Sequence, residues 1–203
     1  AAALTAGSPA NRVDLLLIGD GYTAAEITKF HADATVMASG FTAISPLSNY
    51  ANFFNITTLF TPSPESGADH PPYNASCGQA DPTCCADAAM QSDPLRGRMA
   101  ETAFDARYCS NALHRLLTVN YGKVLAVAAA VPNWDAIIVI VNDETYGGSG
   151  GSFSVVSTHQ STVDIAQHEF SHSFARLADE YESAYPGYAW CSDKNGPVCE
   201  DNV

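Results

Sequence analysis

Basic residues are scarce in this sequence. Its 203 residues include only 9 Lys and Arg against 22 Asp and Glu, which gives a formal net charge of −13 at pH 7. A chain this acidic repels phosphate groups, so we expect neither nucleic acid nor an anionic membrane as a partner. Because no apolar run approaches the ~20 residues that cross a bilayer, we expect no membrane insertion either.

Several motifs of ligand-binding proteins are also missing. Gly19-Asp20-Gly21 follows an apolar run, but the P-loop lysine and the full dinucleotide fingerprint are absent, so nucleotide binding is not expected. The sequence contains neither a Cys-x-x-Cys pair for zinc nor an Asp-x-Asp-x-Asp-Gly loop for calcium. No repeat or low-complexity linker divides the chain, and 46% apolar residues suffice for a substantial core. We therefore expect a single domain over residues 1–203.

Six cysteines and two glycosylation sequons predict a secreted, extracellular glycoprotein with disulfide bonds. The sequons begin at Asn55 and Asn74, and an even number of cysteines beside them is typical of an oxidising compartment. The alternative is six reduced thiols in a cytosolic protein. Cys191 and Cys199 are expected to pair locally, whereas three pairings stay open for the remaining four, which are Cys77, Cys84, Cys85 and Cys109. The small, polar residues 1–10 look like the start of a mature chain.

Apolar strands alternate with helical segments, which predicts an α/β fold. The most apolar run, residues 135–141, is expected to be a central strand, and the other predicted strands are 12–18, 53–60 and 153–158. Thr23 and Glu26 form a capping box that opens a helix reaching to about Ala38. Further helices are predicted over residues 110–117 and 123–130.

Residues 61–101 change in character. They contain six prolines and three of the cysteines, a composition that predicts a long ordered loop held by disulfide bonds. His70 follows Asp69 in this loop. We expect this histidine to make a loop contact, although metal binding by the pair is the alternative.

His168-Glu169-Phe170-Ser171-His172 is a His-Glu-x-x-His motif inside an amphipathic helical segment. One helical turn places the two imidazoles on the same side, where both can reach one metal ion at ~2.1 Å. Glu169 is offset by about 100° and is placed to take a proton from an attacking water. This arrangement is typical of zinc peptidases. We predict that His168 and His172 bind zinc and that Glu169 is the general base.

The third metal ligand is left open among three carboxylates. The glycine and the third histidine of a metzincin motif are both replaced by alanine here. Asp179 lies seven residues after His172 on the same helical face, but an unbroken helix would separate them by about 10.5 Å. The helix must therefore bend or end within residues 175–178 for Asp179 to complete the site. Glu180 and Glu200 are the alternatives.

A glycine-rich segment, residues 146–152, leads into the strand that precedes this helix. Its glycines permit close approach of another backbone or local mobility. We expect the segment and the following strand to form a cleft rim along which an extended peptide pairs by β-addition. Tyr146 and Tyr181 are candidate contacts to the oxyanion or to substrate.

Five sets of residues share their order and character with one known family. They are Gly19–Thr23, Ser66–Pro71, Thr102–Tyr108, Ile138–Asp143 with Tyr146–Gly151, and His168–His172 with Leu177–Tyr181. Over nearly the whole chain they resemble the IgA-peptidase family of secreted zinc metallopeptidases. The resemblance implies a zincin-like domain, in which a mixed twisted sheet supports an active-site helix, and endopeptidase activity. It implies zinc ligation by His168, His172 and Asp179, with Glu169 as the base, but not that immunoglobulin is the substrate.

Two features depart from this expectation. All three methionines, Met37, Met90 and Met99, precede the motif, so no methionine turn can lie beneath the metal within this chain. The sequence ends soon after Cys199, which favours either a differently built floor or a processed or truncated form. The alternative function is a secreted binding or structural protein on an impaired peptidase scaffold, and a third is hydrolysis of a non-peptide amide. We expect a monomer that acts on proteins or peptides.

Overall fold

A computed structural model describes residues 2–175 and residue 177. Six strands are present in this part of the chain: β1 Ala2–Leu4, β2 Val13–Asp20, β3 Phe54–Leu59, β4 Ala136–Val141, β5 Gly148–Ser149 and β6 Ser154–Ser157. They form one sheet in the order β1-β3-β2-β4-β6-β5. The four inner strands are parallel, and β1 and β5 pair antiparallel at the two edges. The predicted mixed sheet with a central 135–141 strand is therefore confirmed.

Three α-helices accompany the sheet: α1 Ile27–Phe41, α2 Tyr121–Ala128 and α3 Thr162–Ala175. The chain enters α1 through a 3-10 turn, Ala24–Glu26. The backbone N–H of Thr23 donates to the Glu26 carboxylate at 2.8 Å, as the predicted capping box requires.

The predicted helix over residues 110–117 is wrong. Only Ser110–Ala112 form a short 3-10 turn, and the backbone is left-handed at Cys109 and Asn111. A second turn follows, after which Leu116 bridges to Gly148 and Thr118 bridges to Arg107. Long-range backbone pairing has overridden the local helical preference.

The core lies on both faces of the sheet. Alternate residues of β2 point to opposite sides: Leu15 and Leu17 pack with α1 and α3, whereas Leu16 and Ile18 pack with α2 and the long loop. The residues of β4 divide between the two faces in the same way. Burial on both faces explains why these strands are continuous apolar runs rather than alternating ones.

Two disulfide bonds staple the long loop that follows β3. Cys77 pairs with Cys84, and Cys85 pairs with Cys109, which selects one of the three pairings that the sequence leaves open. Cys85, Cys109 and Met90 form a small buried cluster of their own. The predicted disulfide-stapled loop is thus confirmed. Cys191 and Cys199 lie outside the described residues, and their pairing stays a prediction.

Candidate active site

Helix α3 presents its polar motif away from the core. Phe170 is buried, and its ring meets the ring of Phe41 edge-on with 5.1 Å between centroids. Anchoring the helix by this residue leaves His168 exposed and both Glu169 and His172 partly exposed. The packing of one aromatic residue therefore orients the three polar side chains of the motif together.

The two motif histidines face each other across one helical turn. Their Nε2 atoms are 3.1 Å apart, and the ring centroids are 4.5 Å apart. Two nitrogens that each lie ~2.1 Å from one tetrahedral ion are about 3.4 Å apart. A carboxylate oxygen of Glu169 and the two ring nitrogens all lie within 4.8 Å of one another. The group of three side chains could hold a metal ion.

A backbone carbonyl fixes the tautomer of His172. Its Nδ1 lies 2.6 Å from the carbonyl oxygen of Leu177. Because a carbonyl oxygen can only accept, Nδ1 carries the proton, and Nε2 of the neutral ring presents its lone pair. A second hydrogen bond of this kind is what orients metal-binding histidines in general.

Helix α3 ends at Ala175. Beyond it, the backbone N–H of Leu177 donates to the carbonyl of Ser171 at 3.1 Å, which turns the chain back over the last helical turn. The helix therefore ends within residues 175–178, the interval in which it must bend or end for Asp179 to complete the site. The remaining predicted site residues lie outside the described part of the chain, and they are Asp179, Glu180, Tyr181 and Glu200.

The apolar face of α3 is shorter than its sequence predicts. Ile165 and Phe170 pack against the core, but Phe174 and Leu177 are each 45% exposed. Core contacts therefore stop one turn earlier than the apolar pattern. The last turn is held by the stacking of Phe174 on Phe170 and by the hydrogen bonds of Leu177 to Ser171 and His172.

A cleft of about 360 Å³ opens beside the motif. Arg115, Tyr146 and Gly148 line it together with residues of α3, among them Asp164, His168 and Glu169. Tyr146 is 47% exposed, and its ring meets that of His159 edge-on. Of the two tyrosines that the sequence singles out, the structure therefore places Tyr146 in the cleft. The volume suits a few side chains of an extended polymer rather than a whole folded domain.

The sheet edge at this cleft is already paired, and the expected β-addition at β5 is wrong. The backbone N–H of Gly148 donates to the carbonyl of Arg115 at 3.2 Å, and the hydroxyl of Ser149 donates to the carbonyl of Leu117 at 2.5 Å. Strand β6 lies inside the sheet, between β4 and β5. Residues 115–117, which were predicted to be helical, thus occupy the position where a substrate strand was expected.

The glycine-rich segment serves close approach instead. A Cβ atom placed on Gly150 would overlap Oε2 of Glu169. A Cβ atom on Gly147 would lie 2.6 Å from the ring of Tyr108. Glycine at these positions lets the cleft wall lie directly against the motif carboxylate on one side and the core on the other.

Comparison with protein-family models matches residues 2–78 and 82–203 to the family described as IgA Peptidase M64. The chain belongs to this family. Its members are peptidases, so the chain is a hydrolase of peptidase type with proteins or peptides as its substrate class. A comparison with curated proteins found no match.

The two disulfide bonds point to an oxidising, extracellular environment for this IgA Peptidase M64 family chain. Among residues 2–175, no helix has the length and apolar character needed to cross a bilayer.

A buried ion cluster holds the cleft wall of this M64 family chain. The imidazole of His70 lies 2.7 Å from Asp93 through Nδ1 and 3.0 Å from Asp143 through Nε2. His114 also reaches Asp93, at 2.8 Å. Asp143 lies two residues after the end of β4 and accepts the backbone N–H of Thr145 at 2.9 Å, one residue before Tyr146. The expected loop contact of His70 is confirmed, and Asp69 instead accepts the N–H of Ala100.

Four of the segments that resemble the family meet at the ends of β2 and β4. Asp20 is fully buried and accepts hydrogen bonds from Gly21, Ser63, Thr102 and Phe104. Burial raises the pKa of this carboxyl above its ordinary value, although the four hydrogen bonds act in the opposite direction. Asn142 donates to the carbonyl of Gly21 and to Ser66. The Gly-Asp-Gly turn is therefore a structural junction, and its polar groups form hydrogen bonds with other parts of the protein.

The two sequons differ in accessibility. Asn55 is 7% exposed within β3, and its Nδ2 donates to Gly7 and Asp14. A glycan on that nitrogen is incompatible with this packing, so the expected modification of Asn55 does not fit the folded chain. Asn74 is exposed, and its glycosylation stays a prediction.

Proposed function

We propose that this M64-family chain is a secreted, zinc-dependent endopeptidase. The observation that carries the proposal is the 3.1 Å approach of the His168 and His172 Nε2 atoms beside the Glu169 carboxylate. His168 and His172 would hold the zinc. The proton on Nδ1 of His172, fixed by Leu177, supports ligation through Nε2.

We assign Asp179 as the third zinc ligand. The end of α3 at Ala175 supports this assignment. A helix unbroken as far as Asp179 would place that residue about 10.5 Å along the axis from His172, too far to share one ion. Glu180 and Glu200 are the alternatives. Replacing each carboxylate separately and measuring bound zinc distinguishes the three, since only the true ligand lowers zinc affinity strongly.

In the proposed reaction, zinc supplies Lewis-acid polarisation of the scissile carbonyl. Glu169 takes a proton from the attacking water as the oxygen–carbon bond forms. It then returns that proton to the amide nitrogen as the carbon–nitrogen bond breaks. The position of the carboxylate on the cleft side of α3 suits both transfers. Tyr146, and Tyr181 beyond the described helix, are candidates to contact the oxyanion.

The same proposal covers the setting of the enzyme. We infer a single catalytic domain over residues 1–203 that works as a monomer outside the cell, with a glycan on Asn74. Two disulfide bonds in the long loop support the extracellular assignment. Intact-mass measurement of secreted protein, before and after glycosidase treatment, tests the modification of Asn74.

The central test is peptide release from a reduced, denatured protein by the wild type and by Glu169→Gln. We expect the variant to keep its zinc and to lose cleavage by a factor of about 10² to 10⁴, because general acid–base catalysis contributes that much. Glu101→Gln, an exposed position on the long loop, is the matched control. Unchanged proteolysis by the zinc-loaded variant would remove Glu169 from the reaction.

A chelator separates the proposal from its main alternative. Wild-type cleavage should stop on removal of the metal and return when zinc is restored. Zinc binding without any chelator-sensitive cleavage would favour a binding or structural protein on an impaired peptidase scaffold. Release of ammonia or amine from small amides, without peptide cleavage, would favour hydrolysis of a non-peptide amide.

A further inference from the structure

Tyr121, the first residue of α2, contacts the glycine-rich segment beside the candidate site. Its hydroxyl donates to the carbonyl of Gly150 at 3.1 Å. Its ring packs on Phe153 with 4.3 Å between centroids. A Cβ atom on Gly151 would lie 2.6 Å from the hydroxyl oxygen. One side chain therefore engages the segment by a polar contact at its tip and an apolar contact along its ring.

The same glycine borders the motif carboxylate. Oε2 of Glu169 fits against Gly150 only because this residue has no side chain. The Tyr121 hydroxyl also interacts electrostatically with Glu169. Burial, and then the negative charge of Glu169, raise the pKa of the Tyr121 phenol. Contacts through Gly150 thus connect Tyr121 on α2 with Glu169 on α3.

Glycine-rich backbone has little conformational restraint of its own. Four of the five residues over 147–151 are glycine, so the position of Gly150 must be fixed by contacts from outside the segment. Within the described chain, the Tyr121 hydroxyl supplies a hydrogen bond at that residue. Displacement of a catalytic group by about 1 Å lowers rates by as much as 10²-fold.

We propose that Tyr121 is a positioning residue that holds Gly150 against Glu169 and so keeps the carboxylate aimed into the cleft. The inference rests on the proposed function, in which Glu169 exchanges protons with substrate. Tyr121 touches neither substrate nor zinc in this scheme. It acts through a backbone carbonyl, and its contribution should appear in turnover rather than in substrate binding.

The test compares Tyr121→Phe with the wild type on a fluorescently labelled, reduced and denatured protein substrate. The variant keeps the ring that packs on Phe153 and loses only the hydroxyl. We expect kcat to fall about tenfold, with KM and zinc content changed less than twofold, because positioning affects the transition state and not uniform binding. Tyr50→Phe, at a tyrosine that is 56% exposed, is the matched control and should match the wild type.

A second variant and a second measurement keep the inference falsifiable. Gly150→Ala should also lower kcat at least tenfold, since its methyl group displaces the Glu169 carboxylate. Amide hydrogen exchange of substrate-free, zinc-loaded protein should speed up over residues 147–152 in Tyr121→Phe and not in Tyr50→Phe. Wild-type kcat in Tyr121→Phe, or equal proportional changes in KM and kcat, would overturn the inference.

Glu169→Gln, assayed in parallel, separates this inference from the proposed function. Loss of cleavage in Glu169→Gln with wild-type turnover in Tyr121→Phe would refute the positioning role alone. Full cleavage by Glu169→Gln would refute the proposed function and the inference together.

Discussion

Nε2 of the His70 imidazole lies 3.0 Å from a carboxylate oxygen of Asp143, and both side chains are buried. His70 belongs to the disulfide-stapled loop, whereas Asp143 follows the central strand β4 and leads to Tyr146 of the cleft. This pair therefore joins the loop to the cleft wall.

Replacing His70 should destabilise the protein strongly. His70→Ala leaves Asp93 and Asp143 buried and facing each other without their shared partner, and breaking a buried ion pair in this way costs about 3–5 kcal/mol. The free energy of unfolding in urea measures the effect. His31→Ala, at an exposed histidine on α1, is the control and should differ little from the wild type. Similar stability of both variants would show that the buried cluster contributes nothing.

The same cluster predicts how stability depends on pH. Burial lowers the pKa of His70, but its hydrogen bonds to Asp143 and Asp93 and their charges outweigh burial and raise the pKa above the ordinary 6.5. A raised folded-state pKa gives stabilisation that is complete below about 6.5 and is lost as pH rises through the folded value. We expect the unfolding free energy to decline as pH rises above about 6.5.

The acid side of the profile has the opposite sign. Burial raises the pKa values of Asp143 and Asp93, but their histidine hydrogen bonds outweigh it and hold both below the ordinary 3.8. Their stabilisation is complete above about 3.8 and is lost as pH falls through the folded values. The ring of Tyr108 packs against His70 at a tilt, and burial raises the pKa of its phenol, so it stays neutral here. In His70→Asn the alkaline decline should disappear; its persistence would assign the decline to other groups.

Two glycine-to-alanine changes should differ sharply. Gly21 has φ of +70°, and a Cβ atom there would overlap the carbonyl of Gly67. Gly21→Ala should therefore lower the melting temperature, with a loss of about 2 kcal/mol or more from backbone strain and steric overlap. Nothing lies within 4 Å of the corresponding position on Gly78, so Gly78→Ala should be close to neutral. Equal melting temperatures would contradict the tight junction at the end of β2.

The two disulfide bonds should contribute unequally. Cys85–Cys109 spans 24 residues, whereas Cys77–Cys84 spans seven. Loop-closure entropy then gives about 3.5 kcal/mol for the first and about 2.5 kcal/mol for the second. Cys85 and Cys109 are also buried. Calorimetry of the two double alanine variants should show the larger loss of stability for Cys85/Cys109, and the reverse order would contradict this ranking.

Local patterns were sufficient for much of the fold. The apolar runs of β2 and β4 predicted buried inner strands, because only strands covered on both faces can be apolar throughout. Thr23 and Glu26 predicted the start of α1 through a contact three residues apart. The spacing of His168 and His172 likewise fixed their relative position, since the helix itself sets that geometry.

Long-range contacts were beyond the reach of these patterns. Residues 110–117 were predicted to form a helix, yet Leu116 pairs with Gly148, and the neighbouring Thr118 pairs with Arg107. Tyr121 carried no signal for a role near Glu169, because it reaches Gly150 across 29 residues of sequence. The run of glycines indicated close approach but not what would approach. The burial of Asn55 could not be predicted from the sequence for the same reason, because the groups that contact its amide come from distant segments.

Zinc-edge anomalous diffraction from crystals grown with zinc would locate the metal directly. We expect one strong peak at ~2.1 Å from Nε2 of both His168 and His172, with one carboxylate from the chain beyond the end of α3 completing the site. Two imidazoles turned apart, or a peak only at some other cluster such as Cys77, Asp81 and Cys84, would contradict this expectation.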